Sequence, residues 1–344
     1  MPKLNYEGSK ELENKILMVG KKWVSAPYRV DGWRLDVAAD LGHTGDYNHF
    51  FWKRFRRVVK LANPQAVILA EHYGDPFWWL QGDEWDTIMN YDAFMEPITW
   101  FLTGMEKHSD AKNDMLRGDG KQFFAAMTYH MSRMPEMSIL CSMNQLSNHD
   151  HSRFMTRTNM TVGRIGTDGS DAADAGTDVS LYRLAVMMQM TWPGAPTIYY
   201  GDEAGMTGWT EPDSRRPYPW GHEDFELMEY HKYLASIHRR YKVFKLGSLM
   251  KLMSGHNYVV YARLYKHEVA IVVIYCGEDE VTLQIPVWRT GITEKNQIVR
   301  LILTDNERYN AGQMRHFTEK GIYKCTCKAH TGKVYYCNLS ADPK

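Results

Sequence analysis

The stretch Asp31-Gly32-Trp33-Arg34-Leu35-Asp36 decides how the first two thirds of the chain are read. It is a short strand-like run that ends on a carboxylate. A strand's period of two puts Arg34 and Asp36 on one face, where the guanidinium can hold and aim the acid. The same pattern recurs downstream. Val67-Ile68-Leu69-Ala70 ends on Glu71, and the run 139–146 is followed by Asn148-His149-Asp150. Strands in a parallel β/α arrangement share one C-terminal rim, so three acids far apart in sequence are expected to meet there. Each fragment alone reads equally as a structural ion pair, a helix start or a turn. One acid after each of three strands points instead to paired-carboxylate chemistry on a glycosidic bond, with the third acid stabilising a cationic transition state.

Working outward, hydrophobic periodicity gives a βα rhythm up to about residue 243. Helices are expected over 11–23 behind an N-cap at Ser9, over 47–61 up to Asn63-Pro64, and over 121–133, 180–190 and 223–240. Strands are expected over 32–37, 66–70, 87–90, 138–146 and 196–200, and the Gly-, Asp- and Ala-rich segment 161–177 reads as a surface loop. Beyond residue 245 the pattern turns to β-rich runs at 258–265, 268–275, 281–287, 298–303, 323–327 and 334–337. Two domains are therefore expected, an α/β part over 1–243 and an antiparallel β part over 244–344.

Composition excludes several function classes. The 344 residues carry 41 Lys plus Arg against 41 Asp plus Glu, so no basic excess draws a nucleic acid or an anionic membrane surface. The longest strongly apolar run, 269–276, is far short of the roughly 20 residues of a membrane span. No apolar leader follows Met1, and five cysteines, an odd number, read as reduced thiols, so a cytoplasmic location is expected. Aromatic residues make up 13% of the chain, and several sit beside charged ones, as in Asp75-Pro76-Phe77-Trp78-Trp79; such rings suit sugar faces as well as ordinary cores. His43, His49, His72, His149 and His151 follow no metal-ligand spacing, and Cys325, Cys327 and Cys337 read as strand thiols, so no metal site is expected.

These segments together resemble the α-amylase superfamily of glycoside hydrolases. Gly32-Trp33-Arg34-Leu35-Asp36 is similar to that family's nucleophile strand, Glu71 to its acid/base position, and Asn148-His149-Asp150 to its third-carboxylate motif. Tyr199-Tyr200-Gly201-Asp202-Glu203-Ala204-Gly205-Met206 resembles the end of the eighth barrel strand. Met1-Pro2-Lys3-Leu4-Asn5 is similar to a motif of the neopullulanase, cyclomaltodextrinase and maltogenic amylase group, and Pro212-Asp213-Ser214-Arg215-Arg216-Pro217 with Tyr218-Pro219-Trp220 to that group's loop after strand eight. The resemblance implies an α/β fold, an incomplete (β/α)8 TIM barrel of about strands four to eight followed by an antiparallel β-sandwich. It implies a retaining α-glucan hydrolase with Asp36, Glu71 and Asp150 as catalytic residues and Arg34, His149, Trp33 and Asn148 as substrate-binding residues. Malto-oligosaccharides, starch, pullulan and cyclodextrins are the implied substrates, with no cofactor and with calcium left open.

The family's first three barrel strands have no counterpart here, so Met1 reads as an internal methionine of a longer protein. Five strands do not close an eight-stranded barrel, which leaves strand edges unpaired. A homodimer or a completing chain is the expected remedy, with slow turnover by the chain alone. A glucan transglycosylase and a non-catalytic glucan-binding protein are the competing readings.

Overall fold

Gly32 opens the first strand because nothing larger fits: a Cβ there would lie 2.2 Å from the carbonyl oxygen of Val67 on the neighbouring strand. The computed structural model describes residues 3–340, so Met1 and Pro2 of the N-terminal motif lie outside the described residues. The chain divides into two compact units, one of residues up to Asp92 with Tyr129–Met143, the other of Ala93–Thr128 with the chain from Asn144 onward.

In the first unit β1 (Gly32–Leu35), β2 (Val67–Ala70) and β3 (Thr87–Ile88) form a parallel sheet in that order. Parallel pairing needs a crossover, and the helix Gly45–Ala62 supplies it between β1 and β2. Thr44 caps its N-terminus, and Asn63 before Pro64 ends it. Its apolar stripe of Phe51, Trp52, Phe55 and Val59 is buried, and the partner helix Lys10–Val24 starts at the expected cap, Ser9. Among the described residues β1 pairs only with β2. An isolated parallel bridge joins Met89 to Met143.

β4 (Met143–Gln145), which begins on the last residue of the first unit, pairs with β5 (Ala195–Thr197). From residue 248 onward the chain is antiparallel β. It comprises β6 (Ser248–Gly255), β7 (Tyr258–Tyr265), β8 (Glu268–Tyr275), β9 (Val281–Ile285), β10 (Ile298–Thr304), β11 (Tyr309–Asn310), β12 (Met314–His316), β13 (Tyr323–Cys327) and β14 (Thr331–Asn338). The larger sheet runs β11-β10-β14-β8-β7-β6 with β12 also on β10, and β13 and β9 form a second sheet. Val260, Ala262, Ile271 and Val273 of the first share one apolar core with Leu283, Ile285, Tyr323 and Cys325 of the second. The opposite face of β7 is covered as well: Tyr261 packs on Trp192 and meets Thr191 Oγ1 at 2.6 Å, and Arg263 donates to the Thr191 carbonyl. Cover on both faces explains why β7 and β8 read as continuous apolar runs instead of alternating ones.

Several expectations need correction. Residues 138–146 do not form one strand: Pro135 starts a helical turn, Glu136–Leu140, and only Met143–Gln145 is extended. The helical stretch from Tyr91 to Thr103, a π-turn followed by an α-helix, and the strand β6 were not anticipated. The segment 161–177 carries two short helical turns, Ile165–Asp168 and Asp171–Ala173. Among the described residues no helix is long and apolar enough to cross a membrane, and all five cysteines are free thiols.

Candidate active site

Asp36 and Glu71 each follow the last residue of their strand, and β1 and β2 pair in register at Leu35 and Ala70, which brings the two acids side by side. The Glu71 N–H donates to the Leu35 carbonyl at 2.9 Å, and the Glu71 carbonyl accepts from Ala38 at 3.3 Å. Arg34 points to the same face. Its Nη1 pairs with Asp36 Oδ1 and its Nη2 with Glu71 Oε2 at 3.1 Å, so one guanidinium spans both carboxylates. Burial alone would lower the Arg34 pKa, but the hydrogen bond to Asp36 and the charge of Glu71 outweigh it and hold it above its ordinary value.

The two acids differ in exposure. The Asp36 side chain is 78% exposed and that of Glu71 only 10%. Two contacts to the Glu71 carboxylate use Oε2, from Arg34 and from the Val37 N–H at 2.9 Å. Val37 makes its bond from a left-handed backbone at φ 43°, a strained conformation for a β-branched residue. The turn after it is fixed by buried Asn48, whose amide donates to the carbonyls of Ala38, Ala39 and Leu41 while its oxygen accepts from the Trp79 indole at 2.8 Å. His72, next to Glu71, packs against Trp79 and Trp85, two rings stacked 4.8 Å apart. Burial holds the pKa of the His72 ring beside the acid below its ordinary value.

Trp33, expected among the substrate-binding residues, faces the other way. Alternation along β1 turns its indole from the Arg34 face, its N–H donates to the Gly20 carbonyl at 3.0 Å, and its ring meets the edge of Phe55. It packs strand against helix.

The second unit holds Asn148, His149 and Asp150. Asn148 is buried and its side-chain oxygen accepts the N–H groups of Asp150 and His151 at 2.9 and 3.1 Å, which shapes the turn. The segment 210–215 grips that turn from outside. Ser214 Oγ and Arg215 Nε donate to the His149 carbonyl at 2.9 and 3.2 Å, and the Thr210 hydroxyl and the Glu211 N–H donate to the Asp150 carbonyl. The Asp150 carboxylate lies 3.6 Å from Arg215, itself paired with Glu211, and 3.5 Å from His149. Arg153, fully buried, holds the gripping segment through the Ser214 carbonyl at 3.1 Å, and pairs with Asp202 at 3.0 Å. Burial pushes the Asp202 carboxyl up to about 6 against the opposing charge of Arg153.

The structure thus brings Arg34, Asp36 and Glu71 together in one unit and Asn148, His149 and Asp150 together in the other. Sequence reading missed Val37, Asn48, Thr210, Ser214 and Arg153. Ser214 and Arg215 lay in a segment already singled out, whereas Arg153 follows Asp150 by three residues without any pattern that marks it. Among the described residues no group of three or more His, Cys, Asp or Glu side chains is placed to hold a metal ion.

Comparison with known proteins adds an independent observation. The model of the family described as alpha amylase, catalytic domain, matches residues 1–247. Neopullulanase 2 of Thermoactinomyces vulgaris is 34% identical over 292 residues, 83% of this chain and 43% of that protein. A cyclomaltodextrinase of Thermoanaerobacter pseudethanolicus is 32% identical over 276 residues, 80% of this chain and 42% of the relative. The crystal structure of a debranching enzyme from Nostoc punctiforme superimposes with a TM-score of 0.75 at 26% identity, covering 94% of this chain and 61% of that one. The chain therefore spans less than half the length of these curated relatives.

Proposed function

Since this chain belongs to the α-amylase family, by a catalytic-domain match over residues 1–247, we propose that it is the catalytic part of a retaining α-glucan hydrolase. The observation that carries this reading is the Arg34 fork across Asp36 and Glu71, at the ends of neighbouring parallel strands. Two carboxylates on one guanidinium are near neighbours, as a retaining pair some 5 to 5.5 Å apart must be.

In this reading Asp36, open to solvent, attacks the anomeric carbon as the glycosidic C–O bond breaks, and Glu71 gives its proton to the leaving oxygen. Glu71 then takes a proton from water, whose oxygen displaces Asp36 from the same carbon. Arg34 keeps Asp36 aimed through both steps. Asp150, steadied by His149 and Arg215, takes sugar hydroxyls and the positive charge that develops on the ring.

We further assign β1 to β5 to about strands four to eight of a (β/α)8 barrel over 1–243, with a β-sandwich domain over 244–344. That β1 has a single strand neighbour among the described residues, and the greater length of the relatives, support this. A homodimer or a completing chain is the proposed cover for the other edge of β1. Malto-oligosaccharides, cyclodextrins or pullulan are the proposed substrates by analogy with the named relatives, and a reducing cytoplasm suits five free thiols.

The test is Glu71→Gln on maltotriose. Loss of the acid/base is expected to lower kcat by roughly 10²- to 10⁴-fold. Unchanged turnover by this variant defeats the assignment. Products longer than maltotriose from the unaltered chain would identify transfer in place of hydrolysis.

A further inference from the structure

The segment Pro217-Tyr218-Pro219-Trp220 takes no part in the chemistry above, yet it is built with care. Trp220 is 80% exposed, an unusual position for a ring that normally buries most of its area. The Tyr218 and Trp220 rings lie 4.5 Å apart, tilted by 51°. Pro217 and Pro219 fix the backbone on either side of Tyr218, and the Trp220 and His222 N–H groups close tight turns onto the carbonyls of Tyr218 and Pro219. The two rings therefore stand on a stiff support and lose little freedom when something stacks on them.

Beside them opens a cavity of about 230 Å³ lined by Gly205, Met206, Thr207, Arg216, Pro219 and His222, among others. That is below the roughly 300 Å³ of pockets that swallow a drug-sized ligand, so it accepts part of a ligand while the rest lies on the surface. Arg216 lines it, but its guanidinium is already bound to Asp213, Asp174, Thr207 and the Ser170 carbonyl. With that charge neutralised the cavity has no preference for an anion. Two rings are also far too small an area for a stable protein partner, which needs about 800 Å² per side. What remains is a neutral ligand with an apolar face and a hydroxyl-bearing edge.

We propose that Tyr218, Trp220 and the adjoining cavity form an α-glucan contact separate from the candidate catalytic residues. One glucose ring lays its C–H face on Trp220, and hydroxyls of the same or the next residue enter toward Thr207 and His222. The choice of glucan over other sugars rests on the function proposed above.

Electrophoresis of the intact chain in native gels with and without soluble starch tests it. The unaltered chain is expected to be retarded by starch, and Trp220→Ala to lose at least fivefold in apparent affinity with an unchanged melting curve. Asp36→Asn is expected to stay retarded, and Trp220→Ala to turn over maltotriose as before. An unretarded parent chain, or a Trp220→Ala chain retarded as strongly as the parent, overturns the platform. So does a parallel loss of maltotriose turnover, which would put the rings inside the catalytic cleft. A chain that is retarded but releases no reducing sugar keeps the platform and defeats the hydrolase reading, whereas hydrolysis without retardation does the reverse.

Discussion

The rim of β1 and β2 and the paired strands β7 and β8 are both short stretches of β-structure rich in apolar residues, yet they are built for opposite ends. β1 and β2 are four residues each, their ends carry exposed Asp36 and half-exposed Arg34, and the next residue, Val37, sits in a left-handed conformation. β7 and β8 are eight residues each, paired along their whole length and buried on both faces over most of it. Stability is concentrated where nothing reactive stands. The reactive groups stand where pairing stops and backbone strain is tolerated.

Changes in the two regions should therefore separate stability from activity. The largest effect is expected at Ile271, which is 1% exposed in the shared core of the β-domain. Ile271→Ala should cost about 2–5 kcal/mol in denaturant unfolding while kcat per folded molecule stays the same. A comparable loss of kcat per folded molecule would mean the two regions are not independent.

Arg34→Ala should do the reverse. Losing a charge-assisted hydrogen bond worth about 1.5–3 kcal/mol predicts a fall in kcat of roughly ten- to a hundredfold, with the melting temperature nearly unmoved. A variant that melts early but turns over normally would make the Arg34 fork a structural ion pair only.

Asp178 links the stability of the second unit to pH. It caps the helix Val179–Thr191 and faces His330 of the β-domain. Burial alone would raise its pKa, but hydrogen bonds from His330 and Ser180 and the charge of His330 outweigh it and hold the carboxyl far below its ordinary range. A depressed folded pKa contributes stability that is present above the unfolded value, near 4, and is lost as pH falls through the folded value. Asp178→Ala should thus cost about 0.5–2 kcal/mol near neutral pH, and the gap to the parent should close as pH falls below 4. A gap that stays constant down to pH 2 would rule out this linkage.

The smallest effect belongs to Val37. Val37→Gly relieves the left-handed strain but adds freedom to the unfolded chain, so a gain of about 1 kcal/mol or less is expected in denaturant unfolding. Activity should fall, because the N–H that holds Glu71 Oε2 would no longer be fixed by a stiff residue.

Much of this was legible in the sequence, and the exceptions share a cause. The strands at 258–265, 268–275 and 323–327 have the bounds read from the sequence, because long apolar runs in the first two and strict apolar/polar alternation in the third leave few alternatives. β4 is only three residues long, so periodicity had too little to act on, and the apolar residues before it were absorbed into a strand that does not exist. β6 was overlooked because Lys251 and a bulge near Leu252 interrupt its pattern.

The chain's own order of residues was enough to put an acid after each of three strands, since strand period and turn chemistry act over a few neighbours. Tertiary structure alone decided that Arg34 reaches Glu71 as well as Asp36 and that Trp33 serves packing. It also decided that Ser214, Thr210 and Arg153 support the turn at Asp150. Those contacts join residues 37 to 65 positions apart, or depend on which face of a strand meets a helix. No local pattern encodes such pairings, because they exist only once burial has chosen which surfaces meet.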